Sequence, residues 1–199
     1  MSPILGIWAS QISGHLWAPA GAYDALATVT LNATTASLTF SGIPTGYKHL
    51  QVRALFQTTR ATYNTDDIDL AFNGVTTGGT YARHGLDANI QNNGTVNASG
   101  NASTDKMFYI ATGVSTVSAN CFGGAILDIL DYASTTKYKT VRSLSGGDAN
   151  GGASGYYPTV ALRSGLWMST AAVTSITFNT SFGGSSFAAN TTFALYGIR

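Results

Sequence analysis

The 199-residue chain contains no glutamate, one cysteine, four prolines and four lysines, and only 10% of its residues are charged. Each scarcity removes a class of protein. Without glutamate and with so little lysine, long solvated helices lack the residues that normally build them. A formal net charge of +1 provides no field that could gather phosphates or anionic lipid heads, so neither nucleic acid nor a membrane surface is an expected partner. The lone Cys121 excludes an intrachain disulfide. In ANCFGGAILDIL it reads as a small buried hydrophobe, because no Lys, Arg or His stands beside it to stabilise a thiolate.

Catalytic signatures are missing as well. There is no GxSxG, no GxxxxGK[ST] and no GxGxxG opening a helix. His15, His49 and His84 are scattered without metal-ligand spacing. Asp67 and Asp69 alternate along one strand and so share a face. They read as a solvated strand face, the other option being a cation or acid-base pair. GGDANGG (146–152) holds Asp148 and Asn150 but no terminal bidentate Glu, which favours a turn over a calcium loop. No catalytic residue, metal ligand or cofactor is assigned. The six Asn-x-Ser/Thr sequons are what a chain rich in Ser and Thr contains by chance.

What is present points to strands. Thr, Val, Ile, Tyr and Phe recur throughout, punctuated by 23 glycines and many Asn and Ser. Period-two alternation predicts strands over 25–31, 36–40, 48–57, 67–73, 105–113, 119–131, 135–146, 156–168, 172–180 and 191–198. The first two, separated by NATT, read as a hairpin. In 48–57, Leu50, Val52, Ala54 and Phe56 face one way and Gln51, Arg53 and Leu55 the other. Asn73-Gly74 closes the fourth run as a tight turn. Residues 78–104 carry too few apolar side chains for a central strand pair and read as an exposed irregular insertion, suited to touching a partner. Gly123-Gly124 and Gly165, inside strand patterns, predict bulges or close backbone approach. About ten short strands without a helix predict an all-β fold: an antiparallel two-sheet β sandwich, jelly-roll-like, in one domain over 22–199.

Residues 1–21 precede it as an apolar arm. MSPILGIWASQISGHLW holds Ile4, Leu5, Ile7, Trp8, Ile12, Leu16 and Trp17, yet the first Lys or Arg is Lys48, so the basic start of a secretory signal is lacking. Pro3, Gly6, Ser10, Gln11, Ser13, Gly14 and His15 interrupt it too often for a membrane span. Burying the seven apolar side chains yields on the order of 10 to 20 kcal/mol. Ordering some seventeen backbones costs about 1 to 2 kcal/mol each, so the arm needs further contacts. The expectation is that it shelters between protein chains, in a homo-oligomer with a trimer preferred, the alternative being an arm folded over its own sandwich. Among aromatics, Trp167 reads as core. Tyr156 and Tyr157, with His84, are candidates for surface recognition.

Several stretches, ILDILDYASTTKYKTVRSLSGGDANG, VALRSGLW, AVTSITF and the final FALYGIR, carry a resemblance. With them the chain resembles small virion structural proteins of tailed bacteriophages, especially those infecting cyanobacteria and marine bacteria. Their Leu-Tyr-Gly-Ile-basic ending is matched by Leu195, Tyr196, Gly197, Ile198 and Arg199. Their Tyr-Glu-Ser-Ile entry to the first strand is here Tyr23, Asp24, Ala25 and Leu26. The resemblance implies a non-enzymatic virion component, made in the bacterial cytoplasm and carried on the capsid exterior. Such a decoration or cement protein would bind the major capsid protein and itself, with the seven arm residues at the subunit interface. A tail-associated fibre or spike domain that binds a receptor or glycan is the alternative. A glycan hydrolase using Asp69 is a third reading.

Overall fold

The computed structural model describes residues 21–60, 66–89, 95–106, 113–114, 120–147, 159–181 and 183–199. Among them run twelve strands and no helix: β1 (Tyr23–Thr30), β2 (Ser37–Ser41), β3 (His49–Thr58), β4 (Ile68–Phe72), β5 (Tyr81–Asn89), β6 (Val96–Thr104), β7 (Gly113–Val114), β8 (Gly123–Leu130), β9 (Lys139–Gly147), β10 (Thr159–Trp167), β11 (Ser175–Thr180) and β12 (Thr192–Ile198). An eight-strand antiparallel sheet has the order β1-β12-β3-β8-β9-β10-β5-β6, and a three-strand antiparallel sheet the order β2-β11-β4. The two-residue β7 pairs parallel with the end of β3. The fold is thus the expected all-β sandwich. Its chain passes from large to small sheet and back through β1, β2, β3 and β4, then again through β10, β11 and β12.

Alternation explains which face each strand buries. On β2, Leu38 and Phe40 are buried between exposed neighbours, and on β3 the predicted inward set Leu50, Val52, Ala54 and Phe56 is buried. Aromatic rings fill the space between the sheets. Phe193 of β12 lies 4.8 Å from Phe178 of β11, 5.3 Å from Phe187 and 6.0 Å from Phe56 between ring centroids. Further along, Trp167 sits 5.4 Å from Phe72 and stacks on Tyr81 at 6.3 Å, in the core as expected.

Three expectations are corrected. β1 and β2 do not form a hairpin: β1 pairs with β12 in the large sheet and β2 with β11 in the small one, because a sandwich buries both apolar faces by sending successive strands to opposite layers. Residues 78–104 are not an irregular insertion but contain the antiparallel pair β5–β6 at the edge of the large sheet. Gly124 and Gly165 lie in unbroken register; the ladders shift instead between Ala25 and Ala27 and between Tyr81 and Arg83. Cys121 is half-buried, and its carbonyl accepts from Gln57 Nε2 at 2.9 Å. Asn73 and Gly74 both adopt positive φ, 51° and 70°, as the predicted turn requires. Of the strand expected over 105–113, residues 107–112 lie outside the described residues, as do Asp148 and Asn150.

Two of the stretches singled out in the sequence have structural roles. In the 131–139 turn, Lys139 is fully buried and its Nζ donates to the carbonyls of Ser134, of Lys137 at 2.9 Å and of Ser169 at 3.4 Å. The Tyr132 hydroxyl donates to the Pro44 carbonyl. At the other end, Gly197 faces the Tyr47 ring so closely that a Cβ there would stand 2.5 Å from it, while Arg199 pairs with Asp24.

Candidate binding face

The inner face of the large sheet is spent on the core; its outer face is not. Antiparallel register places side chains of adjacent strands in rows across that face. One row runs Arg53, Ile126, Leu144, Leu162, Leu86 and Ala98 over β3, β8, β9, β10, β5 and β6. The next runs Leu55, Gly124, Gly146, Val160, Ala88 and Val96. Seven large aliphatic side chains in these rows, Leu55, Leu86, Val96, Ile126, Leu144, Val160 and Leu162, are between 45% and 60% exposed. Together they present on the order of 600 Å² of accessible, mostly apolar surface, the upper end of the patch sizes that occur on monomers and are often functional. Where Gly124 and Gly146 face each other, a groove of about 500 Å³ opens between Arg53, Ile126, Leu144 and Val160.

A polar row borders the aliphatic ones: Gln51, Asp128, Arg142, Ser164, His84 and Gly100. Its charges are largely answered within the row. Gln51 Nε2 donates to Asp128 Oδ1 at 2.9 Å, Gln51 Oε1 accepts from Arg53 Nε at 2.8 Å, and Arg142 reaches the other Asp128 oxygen at 3.4 Å. These bonds cover Gln51 on a face where alternation predicts exposure. The Arg53 guanidinium also lies over the rings of Tyr196, at 4.7 Å, and Tyr23, at 5.1 Å. His84 is exposed and lies against Gly100, where a Cβ would stand 2.7 Å from the imidazole. With Leu86, Leu162, Arg142 and Ser164 it lines a second groove of about 370 Å³.

Of the predicted site residues, the structure therefore brings His84 onto this face. Ile4, Leu5, Ile7, Trp8, Ile12, Leu16, Trp17, Tyr156 and Tyr157 lie outside the described residues. The aliphatic rows themselves escaped the sequence reading. Their signal was there: ILDIL in β8 places Ile126 beside Leu127 and VALRSGLW in β10 places apolar side chains on both faces, which strict alternation with one wet face would not do.

Asp67 and Asp69 are held apart from this face. Asp69 is buried and salt-bridged to Lys106 Nζ at 3.1 Å, so it is not on a solvated strand face as expected. Burial pushes the Asp67 carboxyl up to about 6; Arg163 and Arg60 oppose the rise, and Asp66 and Asp69 add to it. Among the described residues no group of three or more His, Cys or Asp is placed to hold a metal ion, and no helix is long and apolar enough to cross a membrane.

No protein-family model and no curated protein matches this chain.

Proposed function

We propose that the chain is a non-enzymatic structural protein of a tailed-phage virion, a decoration or cement protein that attaches to the major capsid protein and bridges its subunits. It works as a homo-oligomer, with a trimer preferred, anchored by residues 4–17 and by the outer face of the large sheet. The observation that carries the reading is the exposed aliphatic pair of rows centred on Leu144 and Leu162. Such a face, built of Leu, Ile and Val with its neighbouring charges already paired, suits another protein surface, because apolar contact proceeds with little polar desolvation. A sugar platform would centre on aromatic rings. The resemblance in sequence to virion proteins supports the same class.

A second reading, a tail-associated receptor- or glycan-binding domain, is favoured by the His84, Arg142 and Ser164 groove. Copy number separates the two: hundreds per particle for a capsid protein, a few dozen at most for a tail protein. The direct test adds the purified chain to shells assembled without it. Leu144→Lys with Leu162→Lys should weaken addition by about tenfold or more if these rows are the docking centre. Unchanged addition by the folded variant removes the face from the mechanism.

A further inference from the structure

We infer that β6, the open edge of the large sheet, pairs antiparallel with β6 of a second copy of this chain, joining the two large sheets edge to edge. The contact is separate from the outer face and so goes beyond the proposed function. Being two-fold, it links copies in pairs whether or not a trimer forms through other surfaces. The edge itself is the first support. An edge strand offers a row of backbone N–H and C=O groups to any strand that fits, and folded proteins blunt such edges by shortness, charge, proline, a bulge or a cover. The other edges of the two sheets are blunted in these ways. β1 carries Asp24 and a shift of register between Ala25 and Ala27, β2 has five residues, and β4 is buried along its whole length. β6 is open. It is nine residues long, VNASGNAST, with no proline and no charged side chain, and every residue but Thr104 is exposed. Its one shift of register lies opposite Tyr81 and Arg83, which leaves residues 96–101 in unbroken register with 83–88. Among the described residues, β5 is its one strand neighbour.

Self-complementarity is the second support, and it selects a second copy over a foreign strand. Residues 96–101 extend for about 20 Å. Alternate residues of an antiparallel strand turn both backbone groups away from the first neighbour, so two copies related by a two-fold axis perpendicular to the sheet exchange about six hydrogen bonds. Such an axis sets like beside like. Val96, Ala98 and Gly100 of both copies share the outer face, and Asn97, Ser99 and Asn101 share the other. No charge opposes another, and Asn and Ser hydrogen-bond across the seam. β6 gains from the pairing, because Asn, Gly and Ala are poor strand formers and residues 96–101 bury nothing, held by the ladder to β5. The assembly is closed, since each copy spends its open edge once and the opposite edge, β1, is blunted. Both outer faces point the same way, so the rows through Ile126, Leu144, Leu162 and Leu86 face one side of the pair.

Sedimentation of the full chain tests this, from about 1 μM to about 100 μM. Asn97→Lys with Ser99→Lys sets like charges across the axis and should weaken the pairing about tenfold or more, halving the mass at the upper concentration with the dichroism unchanged. Asn97→Asp with Ser99→Asp should do the same. An equimolar mixture of the lysine and aspartate variants should recover the parent mass. Amide exchange over residues 96–101 of the parent should slow as copies pair. Leu144→Lys with Leu162→Lys should leave the pairing intact. A mass that the β6 substitutions do not change overturns the inference. So does association dissolved by the Leu144 and Leu162 substitutions, which assigns the contact to the face. Open-ended growth with concentration, as a ladder from β6 to β1 of the next copy gives, also overturns it. Should the paired substitutions unfold the chain, Ser99→Lys alone is read in the same way. Shell addition is a separate measurement, so this inference and the proposed function fail independently.

Discussion

Arg199 donates two hydrogen bonds to one carboxylate oxygen of Asp24, at 2.6 and 3.0 Å, across 175 positions of sequence. The pair holds Asp24 below the usual carboxylate range, chiefly through those bonds. It clasps the ends of β1 and β12, where Tyr196 and Gly197 also stand. The Leu-Tyr-Gly-Ile-basic ending is thus a closing device: Leu195 is core, Tyr196 receives Arg53, Gly197 accommodates the Tyr47 ring and Arg199 reaches Asp24.

The Gly197 contact is steric and can be tested as such. Gly197→Ala should cost about 1 to 3 kcal/mol in denaturant unfolding, as overpacking does. In a Tyr47→Ala background the same change should cost clearly less, because the ring it strikes is gone. Equal costs in both backgrounds would refute the contact.

Lys139 holds the 131–139 turn from inside. Lys139→Met leaves the carbonyls of Ser134, Lys137 and Ser169 without their shared donor, and should destabilise by about 2 to 4 kcal/mol. A shift in thermal midpoint within error of zero would show that water replaces the ammonium.

Phe193 is the ring on which the two sheets meet, in contact with Phe56, Phe178 and Phe187. Phe193→Ala should cost about 3 to 5 kcal/mol, and Phe193→Leu considerably less. Chemical denaturation of both variants gives the comparison.

Asp67 predicts a pH dependence. Its carboxyl titrates at about 6 in the fold against an ordinary 3.8, so between those values the folded state binds more protons than the unfolded state. Stability therefore falls as pH rises through that window, and the penalty is complete above about 6. Asp67→Asn should be about 1 to 3 kcal/mol more stable than the parent at pH 8, with the advantage vanishing near pH 4. An advantage that grows on acidification would have the wrong sign.

The strands that wet one face and bury the other were legible. β2, β9 and β11 alternate cleanly, β3 does so over its middle, and their predicted spans agree with the observed ones to within a few residues. The β5–β6 pair was not. Every residue of β6 but Thr104 is exposed, so neither of its faces carries an apolar code. On β5 the inward side includes Gly85 and Asp87, the latter 3.5 Å from Arg163 of β10, and a charge pair leaves no hydrophobic period to read. The salt bridge of Asp69 was equally hidden, since its partner Lys106 comes from 37 positions away.

By itself, the sequence determined the class of fold: side-chain alternation and the shortage of helix formers are local properties that specify strands without reference to distant residues. Tertiary structure alone decided which strands share a sheet, and hence that Ile126, Leu144, Leu162 and Leu86, dispersed over 77 positions, line up in one row. The physical reason is that period two tells a strand it has two faces, whereas only the pairing of strands across the sandwich says which face is left for a partner.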